Sequence, residues 1–291
     1  MIQFIVNKIF YGILTLFGVV TVIFLLFNVL PGDPARMMLD QREDSQQLEN
    51  IRKKYGFDQS ITTQYFYYLN DVSPLSFHSK KSTDYTFLTK GKYSHQALFS
   101  IGGTTLVLKY PYLRESFQKN GKKVSEVITE TLPNTAILAL FAIVIAIVFG
   151  ILFGVLSAVY KDTWFDRIIA VISTFGMSIP SLEILNLDYV RTAKAKGLSK
   201  SQVIKKHALK NALNPVVTAI SGWFASMLAG AVFVEYIFNW NGLGKEIVNA
   251  LNTLDLPIIM GSVLVIATLF IIINILVDIM YSWLDPRIRL Q

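Results

Sequence analysis

Four uncharged apolar runs, Ile9–Leu30, Asn134–Tyr160, Asn211–Val234 and Leu256–Val277, constrain the fold of this chain more than any other feature. Each is 22 residues or longer, and about 20 apolar residues suffice to cross the hydrocarbon core of a bilayer. The chain has 291 residues, 53% of them hydrophobic and 16% charged, with a mean hydropathy of +0.47. A soluble domain of this size carries more charge, so the runs read as membrane spans. In lipid every backbone polar group must be satisfied within the protein, which makes spans of this length helices. The expected fold class is all-α, a polytopic transmembrane helical bundle.

A fifth run, Ile168–Leu182, has 15 residues between Arg167 and Glu183, and Pro180 interrupts its end. It is too short to cross comfortably. If it did cross, the basic segment Glu183–Pro215, with seven Lys and Arg against two acids, would lie on the outer side. Basic residues beside spans stay in the cytoplasm. The expected arrangement is therefore four full spans plus a half-span that turns back near Pro180. Both termini and residues 183–215 are then cytoplasmic. The first run is longer than the apolar core of a cleavable signal and is not followed by a small-residue cleavage site, so it reads as an anchor.

Three regions follow. Residues 1–30 form the N-terminal anchor, 31–133 an extracytoplasmic region, and 134–291 the remaining membrane domain with its cytoplasmic loop 183–215. Residues 31–133 carry 14 basic and 11 acidic side chains; a region of this length is translocated largely regardless of charge. Asp44–Tyr55 and Gln59–Asn70 are amphipathic at helical spacing, and Tyr85–Leu113 has the β-branched and aromatic content of a hairpin, which predicts an α(+β) region.

Small residues recur every fourth position at Gly150, Gly154 and Ala158, and at Thr218, Gly222, Ser226 and Gly230. Such stripes let helix backbones approach closely. They fit either packing within one chain or a seam with a partner subunit lining a pathway. Asn274 and Asp278 lie one turn apart in the last run. A carboxylate there faces protein or water, as an interhelical hydrogen bond or as a functional group. Glu235 falls at the outer end of its run and reads as an interface residue with access to water.

Several chemistries are excluded. There are no cysteines, and His78, His95 and His207 are isolated in sequence, so no metal cluster is spelled out. No phosphate-cradling GKS or GKT loop occurs, so ATP is not bound by this chain. The formal charge of +7 is spread over loops beside apolar runs, which fits membrane orientation and not nucleic acid. No nucleophile, metal cluster or buried acid pair points to an enzyme.

The basic segment carries the most specific signal. Tyr189-Val190-Arg191-Thr192-Ala193-Lys194-Ala195-Lys196-Gly197-Leu198-Ser199 is followed by His207-Ala208-Leu209-Lys210-Asn211-Ala212-Leu213-Asn214-Pro215. This resembles the cytoplasmic loop of bacterial ABC importer permeases, in particular the dipeptide/oligopeptide/nickel branch. Arg191-Thr192-Ala193 stands where the loop pattern has Glu-Ala-Ala; Gly197 and Leu209 match, while His207 and Lys210 replace Ile and Pro. Leu30-Pro31-Gly32-Asp33-Pro34, Tyr55-Gly56-Phe57-Asp58-Gln59, Phe238-Asn239-Trp240-Asn241-Gly242-Leu243-Gly244 and Leu284-Asp285-Pro286-Arg287 agree with the same branch, in order.

The resemblance implies a type I importer permease-like bundle in the bacterial cytoplasmic (inner) membrane. It would work in peptide or nickel uptake with a second permease subunit, ATP-binding cassette ATPases that bind the ATP, an extracytoplasmic substrate-binding protein and surrounding lipid. It implies no cofactor in this chain. Asp188, Tyr189, Arg191, Ala193, Lys194, Gly197, Leu198 and Ser199 would form the ATPase-docking site, and Gly150, Gly154, Gly222, Ser226, Gly230, Asn274 and Asp278 the pathway and its packing. Against the family the chain departs twice. Asp71–Pro111 reads as an insertion, and part of the membrane domain is missing between Ser181 and Glu183, where the run is short. The other readings are a membrane-anchored scaffold or sensor, and a deleted permease that no longer transports.

Overall fold

The computed structural model describes residues 2–29, 35, 45–81, 84–88, 92–93, 95–119, 121–160, 163–165, 167–169, 222, 227 and 231–284. Among the described residues three helices are long and apolar enough to cross a membrane: α1 (Ile2–Val29) and two further on. Between the first two lie α2 (Ser45–Tyr55), α3 (Ile61–Val72) and the strands β1 (Leu75–Ser79), β2 (His95–Ile101) and β3 (Thr104–Lys109). Then come α4 (Val124–Val159), α5 (Val232–Ile237), α6 (Leu243–Thr253) and α7 (Leu256–Leu284). The third apolar run and the 168–182 run lie almost wholly outside the described residues.

The chain divides into two compact units. One holds residues 1–10, 135–231 and 269–291, and the other holds 11–134 and 232–268. In the second unit the core is continuous. Val124, Val127 and Ile128 of α4 pack with Leu243 and Ala250 of α6 and with Ile258 and Ile259 of α7. A second cluster joins Val20, Ile23 and Phe24 of α1 to Tyr68 of α3 and to Met260 and Leu264 of α7. Gly261 lets α4 and α7 meet closely, since a Cβ there would stand 2.6 Å from a Val124 methyl.

The helix of the second span begins at Val124, ten residues before the uncharged run, and contains Pro133. Apolar burial of its first two turns extends it past the charged residues Glu126 and Glu130. A proline removes one helix hydrogen bond but does not end the helix where packing holds both sides.

The amphipathic stretches predicted at 44–55 and 59–70 are α2 and α3. Ser60 caps α3, its Oγ accepting from Thr63 N–H at 3.3 Å. The hairpin is β2–β3, joined through Gly102 and Gly103 at φ +56° and +90°, and β1 adds to it antiparallel in the order β1-β3-β2. The sheet is inverted relative to the usual pattern. Ser76, His78, Thr105 and Lys109 are buried on one face together with Val107, while Leu75, Phe77 and Leu108 are exposed on the other.

The buried polar face is satisfied by a network around Asp71, at the end of α3. Its carboxylate accepts from Arg114 Nε at 3.0 Å, Tyr85 OH at 3.0 Å and Tyr93 OH at 3.1 Å. Its carbonyl accepts from Tyr112 N–H at 2.8 Å and from Lys109 Nζ. His78 sits beside them, with Nε2 on Ser76 Oγ at 2.9 Å and Nδ1 on the Thr86 carbonyl at 2.8 Å. Burial lowers the Lys109 ammonium to a pKa of about 8, against a smaller opposing pull from Asp71. It raises the Tyr68 phenol to about 12 and pushes Tyr85 and Tyr93 higher still. The donors around Asp71 therefore stay protonated at neutral pH.

Candidate functional site

The motif Phe238–Gly244 follows the third apolar run, and its residues from Asn239 onward have identifiable physical tasks. Asn239 takes the left-handed conformation, φ +55°, that ends α5, and the next N–H, of Trp240, closes on the Glu235 carbonyl at 2.8 Å. Trp240 Nε1 donates to the Asn134 carbonyl at 3.1 Å, and Asn134 Nδ2 donates to the Asn241 carbonyl at 2.7 Å. These two bonds fix the turn to α4. Gly242 is the N-cap of α6, and Leu243 is fully buried in the core.

Gly242 and Gly244 make room for one side chain, Glu235. A Cβ on Gly242 would collide with its carboxyl group. A Cβ on Gly244 would stand 2.8 Å from Glu235 Oε2 and 2.6 Å from the Val232 Cα. Glu235 Oε2 accepts from the Lys245 backbone N–H at 3.0 Å, in the first turn of α6, where an anion is favoured by the helix dipole. Oε1 is buried without a partner, and the residue is 0% exposed. The sequence reading placed Glu235 at a hydrated interface; the structure buries it instead, because α6 folds back over the end of α5. Hydropathy could not show this, since the covering helix follows the span in sequence. Two glycines flanking one leucine just after a lone carboxylate were the available signal.

A second knot holds the other end of α6. Asp255, between α6 and α7, is 1% exposed and accepts from Ser116 Oγ, from Phe117 N–H at 3.1 Å and from Gln118 N–H at 3.3 Å. Lys119 pairs with Glu246 of α6, and Gln118 Nε2 donates to the Thr253 carbonyl at 3.0 Å. Leu254, at φ +56°, makes the sharp turn between α6 and α7. The loop before α4 is thereby clamped onto the α6–α7 corner.

The residues singled out in the apolar runs fall as follows. Gly150 is half-buried on α4 with open space around it, and Gly222 is helical with open space too. Gly154 is in α4, with its surroundings outside the described residues, as are Ser226 and Gly230. Asn274 of α7 donates within its own helix, to the Phe270 carbonyl at 2.8 Å. Asp278 is paired with Lys8 of α1 at 2.8 Å, so its charge is matched within the chain. Asp188, Tyr189, Arg191, Ala193, Lys194, Gly197, Leu198 and Ser199 all lie outside the described residues. Among the described residues no group of three or more His, Asp or Glu could hold a metal ion.

Two family descriptions match the chain. Residues 181–290 match the binding-protein-dependent transport system inner membrane component, and residues 1–84 match the N-terminal part described for such membrane components. The glutathione transport system permease protein GsiC of Escherichia coli K12 is 27% identical over 341 aligned positions, covering 99% of each chain. The proteins of that name from Salmonella typhi and Salmonella choleraesuis SC-B67 are similar to the same extent. The matched segments carry the Phe238–Gly244 turn, the Glu235 cradle and the basic loop together. With its membrane-spanning helices, this chain is a multi-pass inner-membrane permease subunit of the ABC importer family, in the dipeptide/oligopeptide group.

Proposed function

We propose that the chain forms part of the path by which small peptides cross the membrane, driven by separate ATPase subunits that dock on residues 183–215. The observation that carries this is similarity end to end with GsiC, named for transport of glutathione, itself a tripeptide. Peptides are favoured over nickel on that ground. A second permease subunit completes the path, and an extracytoplasmic binding protein delivers substrate. Residues 31–133 face that protein's compartment, and both termini face the cytoplasm.

Docking centres on Gly197, flanked by Ala193, Lys194, Leu198 and Ser199, with Asp188, Tyr189 and Arg191 on the preceding segment. A glycine inside a short basic segment gives a partner a turn to grip, and a rigid-body shift of the gripped loop would move the attached spans. A residue with a Cβ at Gly197 resists the backbone turn. In the chain restored at Ser181 with a homologous span-and-a-half, Gly197→Val is expected to leave the ATPase hydrolysing ATP while peptide uptake is lost, measured side by side in reconstituted vesicles. Unchanged uptake per ATP hydrolysed would remove Gly197 from the docking site.

A second reading concerns the joint after Ser181. The alignment with GsiC runs to 341 positions against 291 residues here, and the family match opens at residue 181. About 50 aligned positions thus have no counterpart in this chain, a length that would hold a span-and-a-half with its loop. On this reading the 291-residue chain is a permease by descent whose transport is lost until that segment is restored.

A further inference from the structure

Three tyrosine rings close around the Lys92 ammonium. Its Nζ stands 4.2 Å from the ring centre of Tyr85, 5.0 Å from that of Tyr93 and 5.5 Å from that of Tyr112. A cation within about 6 Å of a ring centre is attracted by the negative face of the ring, and several such rings together form a cage that recognises ammonium groups. Tyr85 and Tyr93 lie between β1 and β2, and Tyr112 follows β3, so the fold and not local sequence assembles this cage.

The rings are held by partners other than Lys92. Tyr85 and Tyr93 both donate their hydroxyls to the Asp71 carboxylate. Tyr85 also stacks on Tyr67, with 4.8 Å between ring centres. Tyr93 meets His78 and Tyr112 edge-to-face, at 4.7 Å and 5.1 Å. The Tyr112 backbone N–H donates to the Asp71 carbonyl at 2.8 Å. A site ordered by the fold in this way need not be ordered by its ligand.

Lys92 stands apart from the other cations of the network. Arg114 donates to the Asp71 carboxylate and Lys109 to the Asp71 carbonyl, so the withdrawal of either breaks a bond to Asp71. Lys92 meets the cage through ring faces. It is half-buried, as are Tyr85 and Tyr112, so the cage is reached from solvent. Exchange of its ammonium for another leaves the net charge of the network as it was.

We propose that the Tyr85–Tyr93–Tyr112 cage is an ammonium-binding site that Lys92 fills as an internal ligand and that the free amino terminus of a peptide enters in its place, a step that rests on the chain being a peptide permease subunit with residues 31–133 outside. The α-amino group of a peptide has a pKa of about 8 and is charged at neutral pH. Acylation removes that charge, so the cage distinguishes free from blocked peptides. Lys92 keeps the site filled between ligands and sets the affinity that a peptide must exceed.

Lys92→Met keeps an unbranched stem, removes the charge and touches no residue bonded to Asp71. The full chain is placed in lipid nanodiscs, and trialanine, N-acetyl-trialanine and Nα-acetyl-lysine methylamide are titrated by saturation-transfer NMR. Trialanine is expected to bind Lys92→Met while N-acetyl-trialanine does not. The unsubstituted chain is expected to bind trialanine roughly tenfold more weakly, because the tethered lysine competes at high effective concentration. Adding Tyr112→Leu should weaken binding about 2- to 30-fold, the range of one cation–π contact, whereas Tyr112→Phe keeps the ring and the binding. Equal binding of trialanine and its acetylated form, or binding of neither, overturns the proposal. Binding of the lysine derivative alone overturns it too, by marking the cage as a seat for a lysine of another protein. No transport is needed for this readout, so an empty cage leaves the peptide reading to stand or fall on uptake.

Discussion

Asp71→Asn is expected to unfold the region between the first two spans while leaving the membrane helices folded. The pair with Arg114 is buried on both sides, with side chains 1% and 16% exposed. Breaking such a pair by removing one charge costs about 3–5 kcal/mol, because the other charge is left buried and unmatched. The loss is concentrated here, since Tyr85 and Tyr93 also donate to the same carboxylate. The Lys109 contact is to the Asp71 backbone carbonyl and survives the change. Hydrogen exchange should show 75–109 losing protection, with α7 unchanged.

The double variant Asp71→Leu with Arg114→Met removes both charges. It is expected to recover much of the loss, because a buried ion pair is often no better than well-packed apolar groups. Full protection in Asp71→Asn would show that the network is not what holds the sheet to α3.

Gly244→Ala carries the second large effect, in the cradle after the third span. The new methyl would stand 2.6 Å from a backbone atom, the Val232 Cα, and no side-chain rotation relieves that. Overpacking of this kind costs about 1–3 kcal/mol, and more where the backbone cannot yield. The three atoms nearest a Cβ on Gly242 all belong to the Glu235 carboxyl group. Glu235→Ala is therefore expected to rescue Gly242→Ala and not Gly244→Ala. Thermal unfolding of the three single variants and two doubles in detergent measures this as a coupling between sites. Equal rescue of both glycine variants would mean that α5 and α6 do not pack as described.

What the sequence made legible were features that repeat along the chain. Three of the four apolar runs marked helices, amphipathic spacing marked α2 and α3, and the β-branched and aromatic content of Tyr85–Leu113 marked the hairpin. Features set by a distant partner were not legible. Lys109 and His78 look like ordinary surface residues until the sheet folds its polar side over Asp71. Leu75 and Phe77 look like core until the same fold exposes them. Glu235 was misplaced because its cover, α6, lies beyond the span. Asp278 was legible as a candidate, but its partner Lys8 lies at the other end of the chain. The proposed docking residues rest on the ordered motif alone, since no local physical rule selects Gly197 over other glycines, and they lie outside the described residues.

Two knots, Glu235 on α6 and Asp255 on the 116–118 segment, tie the start of α4, α5, α6 and the start of α7 into one packed set.

The most direct measurement is ATP-driven uptake of labelled di- and tripeptides, glutathione included, by vesicles holding this subunit with its second permease, ATPase and binding protein. Two forms are compared, the 291-residue chain and one with a homologous span-and-a-half restored at Ser181. ATP-dependent uptake is expected of the restored form, with the 291-residue form far weaker. No uptake by the restored form, with ATPase and binding protein bound, would contradict the assignment as a peptide permease.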